Sequence, residues 1–496
     1  MDTHYDVAIV GYGPTGATLA NLLGQLGVRV FVVDREDHIY DLPRAVHFDD
    51  EIMRIFQAAG IAEALLKQVR VNPGMRFVDA NGKLLLDWPR PAGISAQGWN
   101  TSYRFHQPDL ERILRESVSR MENVTALCGH RVSSITQGGD GVKLMVEKTA
   151  GGEPFKITAE YAVGCDGARS MMRSTIGTQM EDFGFREKWL VVDVELTRPR
   201  PDLGDHSIQH CGPSGSATYV RGPQNRRRWE IALKPEDEAA DLSNADTIWR
   251  LIERWISPSD AVLERHAIYE FRSVVAEKWA HGRLFLAGDS AHQMPPFMGQ
   301  GLCAGTRDAA NLAWKLAACI KDGASTRLLE SYVNERRPHV SQFVQMSMRL
   351  GGLINASKTQ EALAAAFPQA DGSAKLKSLY PPLGPGLGVG VGVDVDGQQQ
   401  ESPLSSQFLL QSGQKLDDHV GLRPVLLIND QSGRLRLPPF AGEVLFANEE
   451  PEVRAYLSQQ QAAGLLIRPD RYVFSSAQTS ADIPALVLAW NASLSS

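Results

Sequence analysis

No apolar run in this chain is long enough to cross a bilayer, and no run of Lys or Arg is long enough to make a basic field. The first absence excludes a membrane span. The second, with a formal net charge of -7, argues against nucleic acid or an anionic membrane surface as a partner. Cysteine is sparse as well. Cys128, Cys165, Cys211, Cys303 and Cys319 form no Cys-x-x-Cys pair and no metal-ligand spacing, which predicts reduced, mostly buried thiols, no disulfide and no metal. The chain enters a strand by about Tyr5, leaving no room for the charged region and apolar core of a signal peptide, so the expected location is cytoplasmic. What is present is length, 496 residues, and a hydrophobic share of 43%, enough for ordinary cores in two or three domains.

Three separated stretches carry the chemistry. The first is a buried-strand run, Val7 to Val10, feeding the Gly-x-Gly-x-x-Gly turn Gly11-Tyr12-Gly13-Pro14-Thr15-Gly16, then a helix and a second strand ending in Asp34. The glycines serve different ends: Gly11 a tight turn, Gly13 the close approach of a pyrophosphate, Gly16 close helix-to-strand packing. The helix that begins near Pro14 points its free N–H groups and positive dipole end at that phosphate. Asp34, at the end of the second strand, stands where a carboxylate accepts hydrogen bonds from a ribose. The cofactor-binding set here is Gly11, Gly13, Pro14, Thr15, Gly16, Asp34 and Arg35. The other two stretches are Cys165-Asp166-Gly167-Ala168-Arg169-Ser170-Met171-Met172-Arg173 and Arg283-Leu284-Phe285-Leu286-Ala287-Gly288-Asp289-Ser290-Ala291-His292.

The pattern along the chain predicts an α/β fold. A βαβ start runs through Tyr5 to Val10, Thr15 to Leu26 and Val28 to Asp34, with a helix from Asp49 to Ala59. Met75 to Trp88 reads as a hairpin about Asn81-Gly82. Gln107-Pro108 opens a helix with a buried stripe of Leu110, Ile113, Leu114, Val118 and Met121. From about Phe185 to Phe271 several strands and one helix suggest an inserted sheet domain, in which Arg226-Arg227-Arg228-Trp229-Glu230 reads as a solvated hairpin. Helices are expected from Gly301 to Ile320 and from Ser325 to about Leu350, and the Pro/Gly-rich passage from Pro381 reads as a connector. The division is therefore 1–178 with 279–352, an inserted sheet domain 179–278, a connector 353–394 and a small α/β unit 395–496.

The Asp166-Gly167…Arg173 and Gly288-Asp289 patterns resemble those of the group A flavoprotein aromatic hydroxylases, the p-hydroxybenzoate hydroxylase and phenol hydroxylase class. The resemblance is closest to the 3-(3-hydroxyphenyl)propionate hydroxylases. It runs through Pro43-Arg44-Ala45…Asp49-Asp50-Glu51 and Gly299-Gln300-Gly301…Arg307-Asp308-Ala309…Asn311-Leu312-Ala313-Trp314-Lys315-Leu316, and covers about the first 350 residues. It implies a Rossmann-like FAD-binding domain, an inserted substrate-binding β-sheet domain and a thioredoxin-like tail. That tail holds no cysteine, which excludes thiol redox chemistry there and leaves a packing or homodimer role. It also implies bound FAD, transient NADH or NADPH, a phenolic substrate and O2, with oxygen transferred to the ring through a flavin C4a-hydroperoxide.

By the same resemblance, Asp166 and Gly167 lie near the pyrophosphate, and Gly288 and Asp289 at the FAD ribitol. Gln107 falls near the flavin phosphates and ring. Pro296, Gly299, Gly301 and Leu302 line the loop and helix start facing the flavin, with Pro295 as a wall on the oxygen-reacting side. Arg44 matches an arginine that assists flavin reduction by NAD(P)H. His47 is a candidate proton carrier, and His210, Tyr219 and Arg221 are candidates to reach a substrate hydroxyl or carboxylate. Leu302-Cys303-Ala304 departs from the usual residues after Gly-Gln-Gly, and Arg471 stands where a turn glycine is expected. The competing readings are hydroxylation of a larger polycyclic phenol, a flavin-dependent halogenase, whose Trp-x-Trp-x-Ile segment is missing, an alkene reductase, and an FAD-binding redox sensor without oxygenase activity.

Overall fold

A computed structural model describes residues 4–40, 45–211, 216–233, 242, 244–356, 381–387, 403–430 and 435–495. Its first sheet is centred on His4–Val10, which pairs in parallel with Val30–Val33 on one side and Phe155–Gly164 on the other. Val124–Leu127 and Leu284–Leu286 extend it in parallel at the two flanks. The antiparallel strands His130–Gly138 and Gly141–Lys148 fold onto Phe155–Gly164. Val7, Ala8, Ile9, Val30, Phe31 and Val32 are fully buried, as the near-continuous apolar runs of a parallel sheet covered on both faces require. Pro14–Gln25 and Gly301–Lys321 pack together over this sheet. Gly305 makes the contact possible: a Cβ there would lie 3.1 Å from the Gly288 Cα and against the Thr15 hydroxyl.

The second sheet has eight strands, in the order His292–Gln293, Ala261–Ala276, Met180–Leu196, Arg226–Ala232, Ala217–Arg221, Ser207–His210, Gly74–Val78 and Leu84–Pro89. All neighbours are antiparallel except Ser207–His210 with Gly74–Val78. The 74–89 hairpin, which sequence position groups with residues 1–178, thus completes the inserted sheet, and its turn carries Gly82 at φ 79°. One face of the sheet packs Leu190, Val192, Val194, Tyr219 and Trp229 against the helix Ala245–Ile252. The charge run at 226–230 is corrected here. Arg227 and Arg228 are buried rather than solvated, and Arg228 forms a two-pronged pair with Asp193 at 2.6 and 2.9 Å.

The C-terminal unit is a four-stranded sheet in the order Glu443–Phe446, Val425–Ile428, Gly464–Ile467, Val473–Ala477. The first pair is parallel and the other two antiparallel. One face, with Leu426, Ile428, Leu466 and Phe474, packs with Trp490 against Trp314 of the long helix, the two indoles stacked at 5.9 Å. Of the connector 353–394, residues 353–356 continue the helix Arg327–Ala356 and 381–387 lie along it, with Leu387 N–H donating to Glu335 at 2.8 Å; the remainder lies outside the described residues. Among the described residues no helix is long and apolar enough to cross a membrane.

Candidate active site

The glycine turn is built by exclusion. Gly11 adopts φ 105°, and a Cβ on it would strike the Cys165 carbonyl; a Cβ on Gly16 would strike Gly11 itself. Gly13 is the opposite case, since a Cβ there meets nothing within 4 Å. The backbone is thus closed against protein at two glycines and open at the one where a phosphate approaches. Gly13 is also the residue before the helix Pro14–Gln25, whose start has no side-chain cap, so its first N–H groups point into that opening. This cradle fits a dinucleotide. Asp34 holds the turn from the next strand, accepting from Tyr12 N–H at 2.5 Å and Glu36 N–H at 2.9 Å, while Arg35 is exposed beside Glu36. Arg115, which carries no sequence signal, closes the other side. It donates to the Tyr12 carbonyl at 2.9 Å and lies over the Tyr12 ring.

The second and third motifs meet at the end of the same sheet. Asp166 accepts from Ser170 Oγ at 2.5 Å and from the N–H groups of Met171 and Met172, capping the helix Met171–Ile176; Gly167 turns at φ 76°. Arg173 reaches across to the Ser290 carbonyl at 3.0 Å. Gly288 turns at φ 65°, packed on Thr15, and its N–H donates to Asp308 at 3.0 Å; Asp289 follows, half-buried. Burial opposes ionisation of Asp308, but His292 at 2.7 Å and Arg336 at 2.9 Å hold its carboxyl below the usual range. In the sequence Asp308 stands out only as part of a longer pattern. Its role as the anchor of Gly288 comes from a contact across twenty residues of chain, which no local signal carries.

Beyond this lies the loop Pro295–Gly299. Pro295 is buried, Pro296–Met298 form a single 3₁₀ turn, and Gly299 at φ 64° leads to Gln300 and the uncapped start of the helix Gly301–Lys321, where Gly301 and Leu302 are half-buried. Gln300 is fixed from beneath. Arg307 donates to it at 3.1 Å and also to Asp49 and Glu51 at 2.7 and 2.5 Å. Gln107, at the start of its own helix, accepts from Ala45 N–H at 2.9 Å and donates to Glu111 at 2.8 Å, so it tethers the 45–49 segment. Arg44 lies outside the described residues.

Between this loop and the inserted sheet is a cleft holding about 830 Å³ of empty space, part of it open to solvent. Its floor is Ala45 to His47 and Pro296 to Gly299; its walls include Trp88, Arg90, Arg104, Trp189, Gln209, Thr218, Val220 and Glu230. His47 sits under Gly299, where a Cβ would come 3.0 Å from the imidazole Nδ1. Asn72 Nδ2 donates to Ser102 Oγ at 2.8 Å, leaving the Ser102 hydroxyl proton for His47 Nε2, also at 2.8 Å. That network puts the ring proton on Nδ1, which is buried against the Gly299 backbone and makes no hydrogen bond of good geometry there. Burial, then Arg104 and Arg90, pull the His47 pKa down to about 3. At neutral pH the ring is uncharged and donates a hydrogen bond.

The other substrate candidates are corrected by strand alternation. Gln209, Thr218, Val220 and Glu230 face the cleft, so their neighbours His210, Tyr219 and Arg221 face away from it. His210 packs on Trp255 at 5.2 Å, Tyr219 on Trp229 at 5.3 Å, and Arg221 donates to the carbonyls of Gly222 and Gln224. The cleft-facing residues of these strands are one position out of step with His210, Tyr219 and Arg221.

Comparison with known proteins matches residues 4–347 to the FAD binding domain family. A probable NADH-specific resorcinol 4-hydroxylase of Rhodococcus jostii strain RHA1 is 40% identical over 363 residues, 73% of this chain and 67% of that protein. A 3-(3-hydroxy-phenyl)propionate/3-hydroxycinnamic acid hydroxylase of Burkholderia cenocepacia strain HI2424 is 37% identical over 349 residues, 70% of this chain and 63% of that protein. The chain thus matches about two thirds of the length of these relatives. Among solved structures, the flavin-dependent monooxygenase PieE in complex with FAD and substrate superposes over 99% of each chain with a TM-score of 0.82 at 21% identity, a likeness of fold.

Proposed function

As this chain belongs to the FAD binding domain family, we propose that it is an FAD-dependent aromatic monooxygenase that hydroxylates a phenol held in the cleft between the Gly299 loop and the inserted sheet. The observation that carries this reading is the position of that cleft. It opens on the loop that runs into the uncapped start of the helix Gly301–Lys321, with Trp88, Trp189 and Phe297 around it to hold an aromatic ring. Bound FAD supplies the redox chemistry, taking electrons from a nicotinamide coenzyme and passing them to O2. NADH is our choice of coenzyme, on the name of the Rhodococcus relative.

In this reading Gly13 and the start of the helix Pro14–Gln25 hold the pyrophosphate, Asp34 the ribose, and Asp289 the ribitol. Arg44 assists reduction. The helix start at Gly301 and Leu302 stabilises negative charge on the reduced ring system. Pro295 and Pro296 exclude water from the reacting face. His47 Nδ1 offers a proton-bearing nitrogen to the phenol oxygen while Ser102 and Asn72 keep its tautomer. The tail is read as thioredoxin-like from its strand order, with a structural role, and the enzyme as a cytoplasmic protein.

The decisive experiment is aerobic incubation with FAD, NADH or NADPH, 18O2 and a panel containing resorcinol, 3-(3-hydroxyphenyl)propionate and larger polycyclic phenols, read by mass spectrometry. Gain of one 18O atom by a phenol is the expected result. NADH consumption with every phenol recovered unchanged would overturn it.

A further inference from the structure

The strand alternation that turns Tyr219 and Arg221 away from the cleft brings them together with Arg227 on the other face of the inserted sheet. Arg221 and Arg227 are direct partners in the antiparallel ladder, and Tyr219 stands opposite Trp229 two positions along. Like charges directly opposite each other weaken a sheet. Arg227 is buried all the same, at 6% exposure, and Arg221 is half-buried. The Tyr219 hydroxyl lies against the Arg227 guanidinium, and neither it nor the Arg227 Nε makes a hydrogen bond of good geometry. A third guanidinium joins them from the two-residue strand Arg70–Val71: the charge of Arg70 acts on both Arg221 and Arg227.

Acids are scarce around this cluster. Among the described residues, Asp205 is the one carboxylate that pairs with any of the three, at 2.6 Å from Arg70 and 3.9 Å from Arg221, and its side chain is 66% exposed. Arg227 forms no ion pair among the described residues, and its terminal nitrogen donates to the carbonyls of Gln224 and Arg226. Its chain neighbours differ: Arg226 lies 3.8 Å from Asp109 and 3.5 Å from Glu264, and Arg228 pairs with Asp193 at 2.6 Å. Burial pulls the Arg227 pKa down to about 10, with Tyr219 opposing and Arg221 adding to the shift, which leaves it charged at neutral pH. Three guanidinium groups thus meet one carboxylate, an excess of two positive charges. A buried cation without its counter-ion is costly, and native proteins keep one where a ligand completes it. That excess matches a phosphate dianion, whose oxygens guanidinium forks grip, better than a single carboxylate.

We propose that Arg70, Arg221 and Arg227 form a phosphate-binding site on the face of the inserted sheet opposite the cleft. Arg70 and Arg221, which reach solvent, hold the anion, and Arg227 adds its charge from beneath. The site needs no part of the hydroxylase reading. Inorganic phosphate and the pyrophosphate of a nicotinamide coenzyme present the same chemistry, and the test separates them.

The FAD-loaded enzyme is titrated with inorganic phosphate against sodium chloride of equal ionic strength, and binding is read by calorimetry and by the rise in Tm. The wild type is expected to bind phosphate and to gain Tm over the chloride control. Arg221→Gln and Arg70→Gln are each expected to weaken phosphate binding by about tenfold or more. Arg70 is a third exposed, so its variant keeps the test open if Arg221→Gln fails to fold, and flavin content of each variant reports folding. The source of the anion is read from the dissociation constant for NADH in anaerobic flavin reduction. A constant raised both by phosphate and by Arg70→Gln assigns the group to the coenzyme; one moved by neither, beside phosphate binding that the variants lose, assigns it to the free anion. No gain over chloride in the wild type, or equal phosphate affinity in the wild type and both variants, would overturn the site.

Discussion

The FAD-binding domain meets its two neighbours in opposite ways. Against the C-terminal unit its buried charges are matched. Arg54 donates to Asp417 at 2.6 and 2.9 Å, Glu335 accepts from Arg468 at 2.7 and 2.8 Å and from Lys315 at 2.7 Å, and Tyr472 donates to Glu51 at 2.8 Å. Against the inserted sheet, the atoms left over among the described residues include His47 Nδ1 and the Nε of the charged Arg104, whereas those at the joint are the neutral groups of Trp314, Ser405 and Gln407 and the Arg471 Nε that lies 3.1 Å from Asp417. The difference separates a joint from a site. A buried pair that satisfies itself fixes one orientation of two bodies, whereas a buried donor without a partner persists where another molecule supplies the acceptor.

The largest effect is expected at the joint. Glu335→Ala removes the shared acceptor of Arg468 and Lys315, leaving Lys315 buried without its acid and Arg468 with Asp470 alone, and should destabilise by about 3 kcal/mol. Arg104→Met, on the cleft side, removes a buried guanidinium whose one side-chain hydrogen bond, to Ser207 at 2.9 Å, is made to an uncharged group rather than in an ion pair, and should cost less, about 1 kcal/mol. Urea unfolding of both variants breaks the comparison if their costs are equal.

Acid sharpens the same contrast, because the two sides titrate in different windows. The His47 pKa, 6.5 in the free side chain, is about 3 in the fold, so below about pH 6.5 the unfolded chain takes up a proton that the native one refuses. Stability should fall by about 2 kcal/mol from this ring between pH 6.5 and 5. At the joint, Asp417 and Glu335 have carboxyls held below their ordinary range, since their arginine partners outweigh burial. Their contribution stands above the unfolded carboxylate pKa of about 4 and is lost only below it. His47→Asn should therefore flatten the slope between pH 6.5 and 5 and leave the steeper loss below about pH 4. An unchanged upper slope would mean that the ring is not held neutral.

What is legible in the chain follows the same division. The glycine turn, Asp166-Gly167 and Gly288-Asp289 are local: each needs a backbone conformation that only a few residue types adopt, so its composition announces it. Arg104, Ser102, Asn72 and Glu230 come together from different strands, and their grouping depends on pairings such as Ser207–His210 beside Gly74–Val78, which no local pattern reveals. The strand Ala261–Ala276 is hidden for a related reason. Its first half mixes charged and apolar residues on the half-buried face, with Arg265 reaching Asp193 across the sheet, and an apolar residue recurs at every second position only from Ala267 to Phe271. His210, Tyr219 and Arg221 show the converse: their chemistry suits a substrate, but the face they occupy is set by strand pairing and turns them away from the cleft.

Arg471 offers the smallest effect and the one most able to dissect the joint. The turn Pro469-Asp470-Arg471-Tyr472 calls for glycine, and Arg471 does adopt φ 70°. A side chain at this φ costs about 1–2 kcal/mol. What offsets the strain is the guanidinium, which lies 3.1 Å from Asp417 and donates to the carbonyls of Gly421 and Arg423. Arg471→Ala discards those contacts and keeps the strain; Arg471→Gly discards the same contacts and relieves it. Both should be less stable than the parent in urea unfolding, with Arg471→Gly the better of the two by about 1 kcal/mol. An Arg471→Gly protein as stable as the parent would mean that Arg54 alone satisfies Asp417, and that the second arginine adds nothing to the joint.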